Sequence, residues 1–542
     1  MSTPVRFNRR HFLWATTATL GVLALRGFPV SAAAAAHFTH GVASGDPLQD
    51  RVILWTRVLP GSGEAERLSV QWQVATDEAF ADVVSEGEVQ TDAARDYTVK
   101  VDADGLSAGQ SYYYRFTAGG VFSPVGRTRT LPATGVEQIS LAVLSCSNYP
   151  QGYFNVYREV ANRQYDAVLH LGDYIYEYAE GGYANPEMLQ KGRNVQPEHE
   201  IVSLEDYRTR YGLYRMDEDL QSVHLAHPFI CVWDDHEITN NTWHSGAENH
   251  NDGEGPFADR RRAAIQAFYE WMPIREQGTI EQGIIYRSFD FGDLASLIML
   301  DTRLIGRDEQ LTHEMSIDVL RSQLSDDSRT IMGIEQEQWL ESELRRSAEA
   351  GIPWQVLGQQ LLMGKLFVPQ FADSELPLDS RDALINGRYG MLRARSQMGL
   401  PFNLDAWDGY PANRERVFRA IEEHANNVVV LAGDTHSSWA FDLHNDIGTP
   451  VAVELGTPSV SSPGFENFLP LPDAQVEQAT QAASPELKYM KANGRGWLEV
   501  GITPQQATAS WHFVSTVTER NYSVQPGAVL TTAVGSHQLT RV

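Results

Sequence analysis

Residues 165–176 read Tyr-Asp-Ala-Val-Leu-His-Leu-Gly-Asp-Tyr-Ile-Tyr, an apolar run that closes on Gly172-Asp173 and reaches Tyr176 three residues later. A short Val- and Leu-rich run without polar alternation reads as a strand covered on both faces. A carboxylate at the end of such a strand can bridge two cations, one on each oxygen, while the glycine permits a tight turn. Tyr176 would reach the same place as a phenolate, a hard ligand suited to a trivalent ion. Taken alone, Gly-Asp-x-x-Tyr reads equally well as a strand-end turn with a packed tyrosine.

The pattern recurs, and recurrence changes its weight. HPFICVWDD at 227–235 leads into Asp234-Asp235-His236-Glu237, with Asn240 and Asn241 just beyond, and NVVVLAGD at 427–434 leads into Asp434-Thr435-His436. Any one of these clusters fits a cap or a satisfied core group; three strand-end Asp/His clusters point to one metal pair. His236 would donate a proton to a leaving alkoxide. Further apolar runs at 139–146, 294–301 and 354–360 close on Cys146, Asp301 and Gln359-Gln360. Helical spacing at 258–273 and 333–350 supplies cover for a sheet. The result is an α/β layered domain with its chemistry at strand C-termini. GWLEVGITPQQATASWHFVSTV at 496–517 predicts a closing hairpin on that sheet.

Ahead of this lies a different texture. RVILWTRV at 51–58, LSVQWQVA at 68–75 and SYYYRFTA at 111–118 are short alternating strands broken by Gly and Asp turns, the signature of a β-sandwich. LSAGQSYYYRF at 106–116 resembles the turn and strand of a fibronectin type III-like domain. The first residues carry Arg9-Arg10, then Phe12-Leu13, an apolar stretch of about a dozen residues and an alanine run, which is an export signal too short for the ~20 residues of a membrane span. The arginine pair with Phe12-Leu13 resembles the twin-arginine signature, with cleavage expected near Ala36–His37. Lys plus Arg total 43 against 70 Asp plus Glu, for a net charge of −27, which argues against a nucleic-acid binder and suits divalent cations. The two cysteines, Cys146 and Cys231, provide no disulfide scaffold.

With these motifs in order, the chain resembles the alkaline phosphatase D (PhoD-like) family of the calcineurin-like metallophosphoesterase superfamily. FTHGVASGDP at 38–47, SCSN at 145–148, LGDYIYEY at 171–178, WDDHEITNN at 233–241, LDTR at 300–303, GDTHSSW at 433–439 and ELGTPSVSSPG at 454–464 carry the resemblance. It implies a two-sheet α/β sandwich preceded by a small fibronectin type III-like β-sandwich. The domains expected are an export signal at 1–36, the N-terminal sandwich at 37–133, the catalytic domain at 138–520 and a tail at 521–542. It implies an iron(III) site of Cys146, Asp173, Tyr176 and His436, and a calcium side of Asp173, Asp235, Asn240 and Asp434, with Asn241 the alternative to Asn240. Other divalent metals would suit the second position. His236 would bind phosphate or donate the proton, and Arg303 would contact phosphate, or else form a surface salt bridge. Gln359 and Gln360 would orient a ligand or water, or pack at the core edge. Cys231 reads as a small buried hydrophobe. Ser437 and Ser438 lack the Gly-x-Ser-x-Gly elbow of a serine nucleophile.

The expected function is metal-dependent hydrolysis of small phosphate esters by an activated hydroxide, for phosphate scavenging in the periplasm or outside the cell. The expected partners are these esters, phospholipids among them, and the twin-arginine export machinery, with no specific nucleic acid. A phospholipase D-like phosphodiesterase of the same family and a non-catalytic secreted calcium-binding module are the alternatives. The polar segments 179–205 and 241–257 are candidate substrate-facing loops.

Overall fold

The computed structural model describes residues 36–61 and 67–542, apart from the side chain of Asn467. The expected twin-arginine export signal at 1–36 therefore lies outside the described residues, save Ala36 at its end. Among the described residues no helix is long and apolar enough to cross a membrane.

Two sheets stack around the largest core. The first has ten strands, with Ile139–Leu144, Ala167–His170 and Pro228–Cys231 running parallel at its centre. The second has seven, and its central strands Ala295–Met299, Trp354–Gly358 and Asn427–Ala432 are also parallel. Each coincides with an apolar run in the sequence, and each is buried along almost its whole length because both faces are covered. Leu141, Leu169 and Ile230 of the first sheet meet Leu297, Val356 and Val429 of the second in one apolar cluster. Ile298, Leu357 and Val430 point the other way, under Leu340 and Leu344 of the helix Gly333–Glu349 and Phe418 of the helix Pro411–His424. This is the α/β two-sheet sandwich expected from the motifs. The predicted helix at 258–273 is Phe257–Trp271.

The N-terminal sandwich forms, but only one of its sheets is its own. Leu68–Ala75, Val83–Thr91 and Ser111–Ala118 build a five-stranded sheet with two short strands. The facing layer is Val42–Gly45, Val52–Arg57 and Thr98–Ala103, and it continues the ten-stranded sheet. Val42–Gly45 pairs in parallel with Pro228–Cys231, Ser44 opposite Pro228. Val42 and Leu54 from that layer pack on Val70, Val74 and Phe116.

The hairpin expected at 496–517 is Arg495–Ile502 and Gln506–Val514. The stretch 521–542, expected as a tail, holds the strand Val524–Ala533 alongside Gln506–Val514. Pro526-Gly527 reads as a breaker, yet Pro526 pairs with His512 where the register shifts, and at a bulge the missing N–H costs little.

Candidate metal centre

The parallel strands of both sheets end at the same side of the core, so the loops that follow them converge. Ile139–Leu144 delivers Cys146, Ala167–His170 delivers Asp173 and Tyr176, Pro228–Cys231 delivers Asp234 to Glu237, and Asn427–Ala432 delivers Asp434 and His436. The backbone is left-handed at Cys146 (φ 61°), Asp173 (φ 56°), Asn241 (φ 50°), Asp434 (φ 60°) and His436 (φ 62°). For non-glycine residues this conformation is strained, and strain gathered at one site marks function. Gly172, at φ 103°, is required by packing as well: a Cβ there would lie 2.4 Å from the Asp234 Cβ.

The structure brings the expected residues into three overlapping groups. Ligand atoms of Cys146, Asp173 and His436 lie within 4.8 Å of one another, and so do those of Asp173, Asp235 and His236, and those of Asp234, Asp235 and Asp434. Tyr176 joins the first group, its hydroxyl 3.0 Å from Asp173 Oδ2 and 3.3 Å from His436 Nε2. His436 directs Nδ1 at the Pro463 carbonyl, 2.7 Å away, which leaves Nε2 for the site. Asn240 and Asn241 both line the cavity of about 350 Å³ over these groups. The Asn241 backbone N–H donates to Asp235 Oδ2 at 2.6 Å, while the Asn240 amide is 3.4 Å from Glu248.

Arg303 is fully buried, which excludes the surface salt bridge. Its guanidinium binds Asp234, lies 2.8 Å from Asp405 and 3.2 Å from Asp434, and reaches Asp235 at 3.6 Å. Burial acts to raise Asp235, but Arg303 and His236 outweigh it and hold the carboxyl at about 2. Burial lifts Asp434 to about 7 against the same arginine, and raises Asp173 and Asp234 well above the carboxylate range. One oxygen each of Asp173, Asp234 and Asp235 is buried with no hydrogen-bond partner. Buried orphan oxygens of three converging acids, with a thiol, a phenol and an imidazole beside them, form a donor set that fits hard cations and would be costly without them.

Besides Asp234 of the third group, three functional side chains carried no assignment from sequence. Glu237 accepts the backbone N–H groups of Asp173 (3.0 Å), Tyr174 (2.6 Å) and Asp234 (2.8 Å), tying two of the loops together. Glu177 accepts from His236 Nδ1 at 2.6 Å and from the Asn240 N–H at 2.8 Å. Burial would push His236 down, but Glu177, Asp173 and Asp235 raise it well above the usual imidazole range. Asp405 reaches in from a distant loop to Arg303 and Arg307. The first two sit inside quoted motifs, so their letters were visible and their partners were not.

The remaining candidates have structural roles. Cys231 is buried and free, as is Cys146 of the first group. Gln360 accepts from Thr302 and donates to the Trp233 and Leu300 carbonyls, and Gln359 accepts from Trp407, so both amides stitch loops between the sheets. Ser437 is buried against the Ala492 carbonyl. Gly182 and Tyr183 of the segment 179–205 and Asn241 of 241–257 line the cavity.

The family model "PhoD-like phosphatase" matches residues 141–511, and "PhoD-like phosphatase, N-terminal domain" matches 24–132. Alkaline phosphatase D of Bacillus subtilis (strain 168) is 37% identical over 513 residues, spanning 91% of this chain and 79% of that protein. A solved structure described as "Structure of PhoD" superposes with a TM-score of 0.78 at 35% identity, covering 93% of this chain and 92% of the other.

Proposed function

Since this chain belongs to the PhoD-like phosphatase family, and is a phosphoric ester hydrolase as that membership implies, we propose that it acts as an exported, metal-dependent phosphatase and phosphodiesterase that scavenges phosphate. The observation that carries the metal dependence is that buried oxygens of Asp173 and Asp235, which both line one cavity, and of Asp234 in the same acid cluster accept no hydrogen bond. Cys146, Asp173, Tyr176 and His436 would hold iron(III), and Asp173, Asp235, Asn240 and Asp434 would hold calcium. Bound there, such cations lower the pKa of water and offset charge on phosphoryl oxygens.

The chain's own residues do the rest. Glu177 fixes His236 through Nδ1 and favours its protonated form, leaving Nε2 to give a proton to the departing alkoxide. Tyr176 stacks on the His236 ring at 4.2 Å and limits its rotation. Arg303, wholly buried beside the cavity, neutralises the surrounding acids through Asp234, Asp405, Asp434 and Asp235. Glu237 keeps the loops of Asp173 and Asp234 at a fixed separation. Export through the twin-arginine pathway to the periplasm or beyond rests on Arg9-Arg10 and the apolar stretch after them.

The test is metal content together with hydrolysis of an aryl phosphomonoester and an aryl phosphodiester, in the protein and its Asp173→Asn variant. Iron and calcium in the parent, with both metals and activity lost in the variant, support the assignment. Active protein with no stoichiometric metal refutes it.

A further inference from the structure

A second cavity, of about 100 Å³, lies where the N-terminal sandwich meets the first sheet. Asp166 and Pro228 line it, and they stand at the starts of Ala167–His170 and Pro228–Cys231. The cavity is therefore at the opposite strand ends from Asp173 and Asp234. Its other wall is the strand Gly126–Arg129, which pairs with Ser111–Ala118 so that Arg129 faces Ser111. Arg127 and Arg129 are two residues apart and share one face of that strand, while Gly126 and Thr128 are buried on the other. Both arginines thus border the same cavity.

Its lining is rich in donors and poor in acceptors. Arg129 Nη1 is 2.7 Å from Asp166 Oδ1, and Asp166 Oδ2 already accepts from the Ser140 N–H at 2.8 Å. Arg129 Nε is buried and has no hydrogen-bond partner. Arg127 gives Nε to the Ala226 carbonyl, 3.3 Å away at the end of the helix Glu218–Ala226, and has no carboxylate partner among the described residues. Gln164 and Ser111 line the cavity too, are exposed, and make no side-chain hydrogen bond among the described residues. His227, within electrostatic reach of Arg127, adds no charge, because burial lowers its imidazole to about 4. Two guanidiniums against one carboxylate leave this spot cationic in a chain of net charge −27.

Guanidinium forks match the oxygens of a tetrahedral oxyanion, and an anion oxygen would satisfy the buried N–H of Arg129. The volume is that of about three waters at ~30 Å³ each, which suits one such ion. We propose that Arg127 and Arg129, with the Gln164 amide and the Ser111 hydroxyl, form a seat for inorganic phosphate that is separate from the metal centre. An ion held there bridges Gly126–Arg129 to the starts of the central strands, so it braces the joint between the sandwich and the main sheet in proportion to its concentration. Binding at the seat needs neither metal nor turnover, so it stands or falls apart from the hydrolase reading.

The test is equilibrium dialysis of the protein against radiolabelled inorganic phosphate, with crystals soaked in selenate to locate the ion by its anomalous signal. The parent should bind one phosphate more than Arg127→Met, whose affinity at the seat falls at least tenfold with the loss of a charge-assisted hydrogen bond. Asp173→Asn, altered at the metal centre, should keep the seat, and Arg127→Met should hydrolyse an aryl phosphate as the parent does. Gln164→Ala, a change at an exposed side chain, should weaken the same binding event severalfold. Selenate should lie within hydrogen-bond distance of both arginines. Equal stoichiometry and affinity in the parent and both seat variants overturn the proposal, as does selenate found only elsewhere. A selenate peak at the arginines without binding in dialysis means an adventitious ion only, and overturns it as well.

Discussion

Replacing Glu237 by Gln tests whether the site is held together by the backbone clamp rather than by its acids alone. In the parent, Oε2 accepts from Asp173 and Asp234 and Oε1 accepts from Tyr174. Gln keeps one acceptor oxygen, and its best orientation preserves the two bonds to Oε2. The amide nitrogen then faces the Tyr174 N–H, so one hydrogen bond is lost and two buried donors, that N–H and the amide itself, are left without an acceptor. A bond of this kind is worth about 1.5–3 kcal/mol, and an orphaned buried N–H costs in the same range, so the variant should lose roughly 2–4 kcal/mol of stability. Activity should fall further, about ten- to a hundredfold, because the loop that carries Asp173 and Tyr176 loses its tie at Tyr174. Urea unfolding followed by tryptophan fluorescence reads the first quantity, and kcat/KM on an aryl phosphate reads the second. An unfolding free energy within about 0.5 kcal/mol of the parent, with unchanged kcat/KM, would refute the clamp.

Gly172→Ala places a Cβ 2.4 Å from the Asp234 Cβ at φ 103°, and should cost roughly 2–4 kcal/mol together with most activity, read by thermal unfolding and an aryl phosphate assay. Asp46→Ala strips Arg287 of a buried partner held at 2.7 and 2.9 Å, and should lower the urea unfolding free energy by about 3–5 kcal/mol; a loss under about 1 kcal/mol contradicts the reading. Burial lowers His170 to about 3, so it binds a proton on unfolding, and its contribution is complete above pH 6.5 and lost as pH falls toward 3. Between pH 7.5 and 5 the parent should therefore lose roughly 2 kcal/mol more than His170→Asn, and equal losses would count against a neutral buried imidazole.

Much of this was legible from letters in sequence. Apolar runs closing on Asp or Cys located the central strands of both sheets, because a strand buried on both faces leaves an unbroken run and a catalytic loop ends it abruptly. Asp173, Asp235, Asp434 and His436 followed from that. Glu177 and Glu237 did not, since an acid that accepts backbone N–H groups looks in sequence like any surface glutamate. Asp405 comes from a loop about a hundred residues past Arg303, and no spacing rule joins them. The merger of the N-terminal strands with the main sheet was hidden for a related reason: strand periodicity gives the face a residue occupies and never names the partner strand. The strand at Val524–Ala533 was masked by Pro526-Gly527, which the chain tolerates at a register shift.

The pairing of Val42–Gly45 with Pro228–Cys231 has a consequence for how such proteins can be cut and joined. The two family models meet between residues 132 and 141, yet the hydrogen-bond ladder crosses that boundary without interruption. The covalent seam and the physical seam fall in different places. A fragment starting near residue 133 would carry Pro228–Cys231, wholly buried in the intact protein, as a naked sheet edge seeking another chain. The leading segment is thus less an accessory than a cover, and its exchange between relatives would succeed only if the edge it seals travelled with it.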